Sequence, residues 1–286
     1  MNKVLIILNP AARGERAGVL KEKIEALSIQ CVVRTTSQPG DACAMAAEGV
    51  KDGFRTIVAA GGDGTVNEVV NGIAGGPVAL GILPVGTMNV FAAELGIPSG
   101  DLGKAWDVIT RGHVRHLDLP KANGAYFVQL AGIGLDAEVV RRTAPESKKA
   151  LGPISYVISL AQAAAEPPPR LEIVPDDSRE RTGTFVLVGN GRLYGGPFTL
   201  FKDARLDDGL LDVLVFQGQG HWDVVRYLQA IAFGSHVELE DVEYFQTSGI
   251  TVRSSTEVPY ELDGELSGLL PCRFEVAGHK LTVLAP

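Results

Sequence analysis

The chain has 286 residues, of which 45% are hydrophobic and 21% charged, and its formal net charge is −8. This composition is typical of a soluble globular protein long enough for two cores, and the negative charge disfavours a nucleic-acid partner and any general attraction to anionic membranes. The three cysteines have no metal-site or disulfide spacing, so we expect reduced thiols. We expect a cytoplasmic protein, because the first eight residues lead directly into a predicted strand and no apolar stretch could span a bilayer.

The first third of the chain alternates between continuous apolar runs and segments of helical periodicity. These patterns predict strands and helices in the order β, α, β, α, β, α, β. The predicted strands are residues 4–8, 31–34, 56–60 and 78–83, and the predicted helices run to about residue 27, over 41–51, from 65 onward and over 101–110. Such alternation implies a doubly wound parallel sheet, which binds ligands at the carboxyl ends of its strands.

A glycine turn joins the third predicted strand to the helix that follows it. Its residues are Gly61, Gly62, Asp63, Gly64 and Thr65. Glycines let the backbone approach a ligand closely, and the free N–H groups at a helix start favour an anion, so we expect a phosphate here. A carboxylate in such a turn fits if a cation such as Mg²⁺ lies between it and the phosphates. An ordinary turn between strand and helix is the alternative.

Polar residues and glycines also follow the other predicted strands. Asn9 and Pro10 close the first strand, Thr36 follows the second, and Gly86 with Thr87 follow the fourth. Each could be simple turn or capping chemistry, but the carboxyl ends of parallel strands meet at one edge of a sheet. We therefore expect these residues and the glycine turn to form one ligand site.

From residue 117 the pattern changes to shorter runs with the alternation of β-strands. Strands are predicted at residues 125–130, 171–174, 184–188, 211–216, 249–252, 273–276 and 281–284, and helices at 154–165 and 222–233. Residues 176–178 connect the two strands of a predicted hairpin. We expect two domains, residues 1–117 and 118–286, and leave open whether the last strand returns to the first domain.

The glycine turn continues as VNEVVNG over residues 66–72, and the combined segment resembles the nucleotide-binding signature of the diacylglycerol kinase and sphingosine kinase family of lipid kinases. Four more segments are similar to motifs of this family and occur in the family's order: residues 83–92 (LPVGTMNVFA), 132–137 (GIGLDA), 207–212 (DDGLLD) and 263–265 (DGE). GGDGT alone also occurs in NAD kinases and, loosely, in phosphofructokinases. The longer matches indicate the lipid kinases.

The resemblance implies a fold of class α/β plus β. It combines an N-terminal doubly wound domain, Rossmann-like and phosphofructokinase-like, with a C-terminal β-sandwich-like domain and an ATP cleft between them. The implied activity is ATP- and Mg²⁺-dependent phosphorylation of a hydroxyl group of diacylglycerol, a sphingoid base or a related lipid. The implied partners are this lipid and, peripherally, the membrane, with no nucleic acid, while a homodimer stays open. The alternatives are an NAD kinase-like enzyme and a catalytically silent protein that binds nucleotide or lipid.

The same resemblance implies roles for individual residues. Glu265 would deprotonate the acceptor hydroxyl, Asp63 would act on the phosphates through Mg²⁺, and Asp263 is expected only to form a turn. Cofactor binding is implied for Asn9, Pro10, Thr36, Gly61, Gly62, Gly64, Thr65, Asn67, Glu68, Gly86, Thr87 and Asn89. Val90 departs from the pattern, because bacterial diacylglycerol kinases usually have an aspartate there and sphingosine kinases a small apolar residue. This departure leaves the arrangement of the catalytic metal open.

An acidic turn in the second half is the candidate for a structural metal site. The family's similar segment holds a structural Mg²⁺ in the bacterial enzymes, which implies Asp207, Asp208, Leu210 and Asp212 as ligands here. Three carboxylates within six residues, together with loop carbonyls, suit a hard cation. A solvated acidic turn leading into a strand is the alternative.

Overall fold

Three six-stranded sheets and one two-stranded sheet form the computed structural model, which describes residues 4–11, 22, 24, 26, 31–143, 163, 167–176, 179–196, 198–218 and 220–286. One large sheet belongs to an N-terminal α/β domain, and the other two form a C-terminal β-sandwich. The predicted fold class is confirmed. The predicted helices ending near residue 27 and at 154–165 lie almost wholly outside the described residues.

The N-terminal sheet contains the last strand of the chain. Its strands are β1 Val4–Leu8, β2 Val32–Thr35, β3 Thr56–Gly61, β4 Ala79–Pro84, β5 Val114–Leu117 and β20 Leu281–Leu284. They lie in the order β2-β1-β3-β4-β20-β5. The first four strands and β20 are parallel, and β5 runs antiparallel to β20 at the edge. The last strand thus returns to the first domain, a point that the sequence leaves open, while the boundary between residues 117 and 118 remains our proposal.

Helices pack on this sheet through the apolar spacing of the sequence. Those that the structure describes are α1 Asp41–Lys51, α2 Asp63–Ile73, α3 Val90–Glu94 and α4 Leu102–Arg111. Val66, Val69, Val70 and Ile73 recur with a period near 3.6 and are all buried, so one face of α2 lies in the core. This packing fixes the first residue of α2 at the carboxyl end of β3.

The sandwich consists of two antiparallel sheets. One contains, in spatial order, β10 Arg181–Gly183, β9 Leu171–Pro175, β16 Gly249–Ser254, β19 Cys272–Val276, β6 Pro120–Ala122 and β7 Ala125–Tyr126. The other contains β15 Val242–Thr247, β14 Leu211–Phe216, β11 Phe185–Gly189, β8 Leu130–Ile133, β17 Pro259–Leu262 and β18 Glu265–Leu269. Ile173 and Phe274 of the first sheet share a buried cluster with Val186 and Val213 of the second, so the sheets pack face to face.

Besides the 3₁₀ helix His236–Glu238, the described part of the sandwich domain contains two α-helices and a small hairpin. They are α5 Leu135–Arg142, α6 His221–Phe233, and the paired strands β12 Leu193–Tyr194 and β13 Phe198–Thr199. A hairpin follows β9 as predicted, but its second strand is β10 and not the predicted strand at 184–188, which is β11 of the other sheet; residues 177 and 178 of the turn lie outside the described part. None of the described helices is long and apolar enough to cross a bilayer.

The predicted strand at residues 125–130 is wrong. The segment divides into β7 and β8, which belong to different sheets. The backbone N–H groups of Val128, Gln129 and Leu130 donate hydrogen bonds to the carboxylate of Asp263 at 2.8 to 3.0 Å. A side chain therefore takes the donors that a continuous strand would give to a neighbouring strand.

Candidate active site

Two glycine turns touch each other at the carboxyl ends of β3 and β4. The N–H group of Val85 donates to the carbonyl oxygen of Gly61 at 3.1 Å. A Cβ atom on Gly86 would lie 2.4 Å from the Cα atom of Gly62, which is closer than real Cβ atoms come to backbone. Because these turns meet backbone to backbone, only glycine fits at Gly86, and the predicted grouping of the two segments follows.

Helix α2 begins in the first of these turns without a side-chain cap from the described residues. Its first-turn N–H groups can therefore donate hydrogen bonds to an anion. Thr65 occupies the space where a Cβ atom on Gly61 would lie, 2.3 Å from its Oγ1 atom. The amide group of Asn9, at the end of β1, donates to the same Oγ1 atom at 3.0 Å. Asn9, Gly61 and Thr65 thus lie together, as the sequence predicts.

Asp63 connects the two turns. Its Oδ1 atom accepts a hydrogen bond from the N–H group of Phe91 at 3.3 Å, at the start of α3. Burial raises the pKa of Asp63, and the N–H groups of Phe91, Val90 and Asn89 partly offset that rise. The backbone N–H group of residue 90 can donate to Asp63 whatever its side chain is. The presence of valine in place of the family's usual aspartate therefore leaves the link between the turns intact.

Asn89 closes the second turn on itself. Its Oδ1 atom accepts from the N–H group of Gly86, and its amide group donates to the carbonyl oxygen of Gly86, both at 2.9 Å. The residue is buried and has a φ angle of 50°. Its side chain is therefore occupied in shaping the turn, whereas Thr87 next to it is exposed and can meet a ligand.

The residues near the end of β2 are held by helix contacts. The carboxylate of Glu68 accepts the N–H groups of Gly40 and Ala42 at 3.0 Å each, so it fills the N-terminus of α1. Gly40 is the N-cap of this helix, while Asp41 accepts from residues 37 and 38 before the helix. Thr36 is buried, and its N–H group bonds to the end of β1. Pro10 is partly buried in a tight turn after β1.

Asn67 links the two domains. Its amide group donates to the Oδ2 atom of Asp263 at 2.7 Å and to the carbonyl oxygen of Tyr126 at 3.1 Å. Asp263 and Gly264 have φ angles of 50° and 88° and form the two-residue turn between β17 and β18. The sequence predicts that Asn67 binds the nucleotide and that Asp263 forms a turn. The geometry makes this pair the anchor that fixes the hairpin on the α/β domain.

Glu265 follows that turn as the first residue of β18. Its carboxylate reaches across to the phosphate turn, because a Cβ atom on Gly64 would lie only 2.7 Å from the Oε1 atom of Glu265. The side chain is exposed to solvent. A carboxylate of the sandwich domain therefore lies directly over the predicted phosphate site of the α/β domain.

The three carboxylates of the acidic segment at the start of β14 do not share one environment, although the sequence predicts them together as metal ligands. Asp212 is fully buried, its Oδ1 atom accepts from the side chains of Tyr244 and Gln246, and its Oδ2 atom has no partner among the described residues. Burial, with the charges of Asp208 and Asp203 as smaller causes, raises the pKa of Asp212 to about 6. Asp207 and Asp208 are exposed. Among the described residues, no three His, Cys, Asp or Glu side chains are grouped as metal ligands.

Several carboxylates near the hairpin have contacts that the sequence does not predict, including Asp136 of the motif at residues 132–137. Glu94 in α3 accepts from the N–H group of Leu193 at 2.8 Å and from the amide group of Gln129 at 3.1 Å. Glu261 belongs to β17 of the hairpin itself, and its carboxylate and that of Asp136 both lie beside Gly132. The only sequence signal for the burial of these carboxylates is their apolar surroundings. When an acid inside an apolar run has a partner, it is more often buried than exposed to solvent.

Comparison with known proteins identifies the family. Residues 3–122 match the model of the diacylglycerol kinase catalytic domain, and residues 130–285 match the YegS C-terminal NAD kinase beta sandwich-like domain. A diacylglycerol kinase of Bacillus subtilis (strain 168) is 31% identical over 100% of this chain and 97% of its own, and one of Staphylococcus saprophyticus is 32% identical over 92% and 88%. A crystal structure of a diacylglycerol kinase from Bacillus anthracis str. Sterne has a TM-score of 0.81 and 30% identity over 100% of this chain and 97% of that one. The chain therefore belongs to the diacylglycerol kinase family of lipid kinases.

Proposed function

We propose that the protein transfers the γ-phosphoryl group of ATP to a hydroxyl group of diacylglycerol or a related lipid. The observation that carries this proposal is the position of the Glu265 carboxylate, 2.7 Å from where a side chain of Gly64 would begin. An acceptor hydroxyl between the two domains would meet a base on one side and the phosphate turn on the other. Phosphoryl transfer depends mainly on such positioning and on charge stabilisation.

The α/β domain would bind ATP through backbone groups. The first turn of α2, which none of the described side chains caps, offers N–H groups to the phosphates, and the turn of Gly86 and Thr87 adjoins it. Asn9 would support this site through Thr65. Glu68 and Asn89 act indirectly, because their side-chain atoms already hold the backbone of α1 and of the second turn.

The sandwich domain would supply the general base. Asp263 accepts four hydrogen bonds, from Asn67 and from the N–H groups of residues 128–130, so the turn that carries Glu265 is fixed to both domains. A fixed turn keeps the Glu265 carboxylate within reach of an acceptor hydroxyl, and a general base contributes typically 10²- to 10⁴-fold in rate.

The side chains present are compatible with Mg²⁺ at two places. Asp63 offers a carboxylate beside the phosphate turn, and the buried Oδ2 atom of Asp212, which has no partner in the described part of the chain, offers a ligand next to the acidic turn. Asp208 and the carbonyl group of Leu210 lie in the turn that leads into β14, which contains Asp212, with Asp207 at the exposed start of that turn. Bound Mg²⁺ would neutralise charge on the phosphates. In the acidic turn a cation would replace the proton that burial favours on Asp212.

Chelation is expected to lower the melting temperature if a cation holds the acidic turn. A ligand that binds only the folded state stabilises it by mass action, so excess Mg²⁺ should restore the loss. Thermal unfolding with EDTA and then with Mg²⁺ measures both effects, and Asp212→Asn should abolish them. A melting temperature that is indifferent to EDTA in the wild-type protein would support the solvated turn.

The outer face of α6 supports a peripheral contact with the membrane. Trp222, Val225, Leu228 and Phe233 are 75%, 43%, 46% and 86% exposed, while Tyr227 on the opposite face is buried. Helical spacing puts the four exposed side chains on one face, and Arg226 at its edge is paired with Asp223 and Asp241. Exposed Trp and Phe on an apolar helix face are suited to the interface between lipid head groups and acyl chains.

This face is continuous with the phosphate site. Helix α6 packs beside β13, where Phe198 is 47% exposed. A Cβ atom on Gly196, at the turn before β13, would lie 2.7 Å from the Cε atom of Met88, which is 50% exposed in the second glycine turn. Exposed apolar side chains thus extend from the ATP turn to α6, so a membrane on α6 would present its lipids beside the cleft.

The double variant Trp222→Ser, Phe233→Ser is expected to bind vesicles of phosphatidylcholine and diacylglycerol about tenfold or more weakly than the wild type, because two large apolar side chains no longer insert. Sedimentation with vesicles at low and high salt measures this, and apolar insertion predicts little dependence on salt.

Val114→Ser is the matched control, because Val114 is 51% exposed on β5 at the edge of the other domain. Equal vesicle binding by the double variant and the control would contradict the membrane contact. If the double variant instead converts a dimer to a monomer in light scattering, α6 is the interface of a homodimer.

An acceptor panel tests the proposed function as a whole. Purified protein, MgATP and detergent micelles are combined with diacylglycerol, a sphingoid base, a monoacylglycerol or NAD, and labelled phosphate is traced to each product. Label in a lipid supports the proposal and names the acceptor. Label in NAD alone would make the protein an NAD kinase, and ATP binding without transfer would make it a silent member of the family.

A further inference from the structure

Two carboxyl groups face each other at the hairpin of β17 and β18, which carries the proposed base Glu265. They belong to Asp136, in the first turn of α5, and to Glu261 of β17, which is only 1% exposed. A Cβ atom on Gly132 would lie 2.3 Å from the Oδ2 atom of Asp136 and 2.7 Å from the Oε1 atom of Glu261. Both oxygen atoms therefore border the small space that the absent side chain of Gly132 leaves.

The outer oxygen of each carboxyl group has a donor. The Oε2 atom of Glu261 accepts from the N–H group of Gly264 at 2.6 Å, and the Oδ1 atom of Asp136 accepts from the O–H group of Tyr194 at 2.5 Å. The Oε1 atom of Glu261 is buried and has no partner among the described residues when both groups are ionised. A single proton between Oε1 and the Oδ2 atom of Asp136 satisfies both inner oxygens.

The surroundings place that proton on Glu261. Asp136 lies at the N-terminus of α5, where the helix dipole favours a negative charge. Burial raises the pKa of Glu261 well above its usual range, and the charges of Asp136 and Asp263 raise it further. A protonated Glu261 donates to Asp136 and still accepts from Gly264.

This pair belongs to a chain of contacts between the two halves of the site. Gly264, which Glu261 holds, directly precedes the proposed base Glu265. Tyr194, which Asp136 holds, lies in β12 next to Leu193, whose N–H group is bound by Glu94 of α3. Helix α3 in turn follows the second glycine turn.

We propose that Glu261 is a positioning residue: sharing one proton with Asp136, it fixes the Gly264 peptide and so directs the Glu265 carboxylate to the phosphate turn. The inference rests on the proposed role of Glu265 as the base. It assigns no contact with substrate to Glu261, which acts through the backbone of the hairpin. Because a misplacement of about 1 Å can cost on the order of 10²-fold in rate, a small support of this kind matters.

Two variants of Glu261 separate the shared proton from simple filling of space. In Glu261→Gln the amide oxygen can accept from Gly264 and the NH₂ group can donate to Asp136, so this conservative variant should keep kcat within about threefold of the wild type. Glu261→Asp keeps a carboxyl group but is one methylene shorter, so kcat should fall about tenfold or more with an unchanged KM for ATP.

The pH profile of kcat supplies a readout that a purely structural role would not move. A protonated group with a raised pKa loses its proton as pH rises through that pKa, so wild-type kcat should fall on the alkaline side. Asp136, Tyr194 and Asp263 are the titratable groups that face Glu261 or its partner. Glu261→Gln removes the proton in question and should lack this alkaline fall. Glu243→Gln, in β15 of the same sheet, is the control and should keep it.

Hydrogen exchange at the Gly264 amide keeps the test independent of the base. Exchange should be slow in the wild type and in Glu261→Gln and at least about tenfold faster in Glu261→Asp, because the hydrogen bond is lost. Should Glu261→Asp fail to fold, Gly132→Ala forces the pair apart and takes its place. Loss of kcat in Glu261→Gln equal to that in Glu261→Asp, or unchanged kcat and exchange in Glu261→Asp, would overturn the proposal. If Glu265→Gln stays active while Glu261→Asp still exposes Gly264, the base assignment fails but the support of the hairpin stands.

Discussion

The variant Glu265→Gln is expected to lower kcat by about 10²-fold or more with little change in the affinity for ATP. The amide keeps the shape of the side chain beside Gly64 but cannot take the proton of the acceptor hydroxyl. ATP binding should be retained because Glu265 lies on the sandwich domain, while the phosphate turn belongs to the α/β domain. Steady-state kinetics with saturating lipid, combined with equilibrium binding of ATP, measure the two quantities separately.

Asp263→Asn is the informative comparison, because Asp263 stands two residues before Glu265 and accepts four hydrogen bonds. An amide group turns one acceptor into a donor that faces N–H groups, so the free energy of unfolding should fall by about 1 to 3 kcal/mol. Near-normal kcat in Glu265→Gln with loss of kcat in a folded Asp263→Asn would mean that Asp263 is the base and that Glu265 is not. Near-normal kcat in both would refute the proposed base mechanism for this chain.

Asp63→Asn is expected to lower phosphoryl transfer on the order of 10²-fold or more while the protein stays folded. The Oδ1 atom of Asn can still accept the N–H group of Phe91, so the link between the two glycine turns survives. What is lost is the negative charge that would hold a cation beside the phosphates, with almost no change in volume. The rate of phosphoryl transfer at saturating Mg²⁺ tests the loss of activity, and the melting temperature tests whether the variant stays folded.

A matched substitution controls for the loss of one carboxylate at a helix start. Asp101 caps α4 by accepting from the N–H group of Lys104 at 3.1 Å, and Asp101→Asn should leave transfer unchanged. If the Asp63→Asn variant is folded, saturated with Mg²⁺ and as active as Asp101→Asn, Asp63 is only a residue that joins two turns.

Local patterns in the sequence were enough to predict most of the α/β domain, although they predicted neither β5 nor α3, and the return of β20 was left open. The continuous apolar runs give β1 with its observed bounds, and the period of Val66, Val69, Val70 and Ile73 gives the buried face of α2. Both are short-range signals, because a covered strand and an amphipathic helix each record their burial in their own residues. The glycine turn is predictable for the same reason, since its conformation depends on neighbouring residues.

The second domain was less predictable because its decisive contacts are not local. Asn67 and Asp263 are 196 residues apart, and neither sequence environment indicates the other. All four residues of β17 are buried, so Glu261 shows no alternation that would mark it as an inward-facing acid. The site therefore depends on a carboxylate that binds the backbone N–H groups of residues 128–130 within the sandwich domain and the amide group of Asn67 in the other domain, and both contacts appear only in the folded chain.

A single-turnover experiment tests the central claim most directly. Excess protein is mixed with ATP labelled at the γ-phosphate, Mg²⁺ and micelles of diacylglycerol, and label is followed in lipid extract, inorganic phosphate and remaining ATP. We predict that label passes from ATP into the lipid extract, and that Glu265→Gln and Asp63→Asn each slow this transfer about 10²-fold or more while ATP stays bound. Label that remains in ATP, or is released only as inorganic phosphate in the presence of every lipid acceptor, would contradict the proposed lipid kinase mechanism.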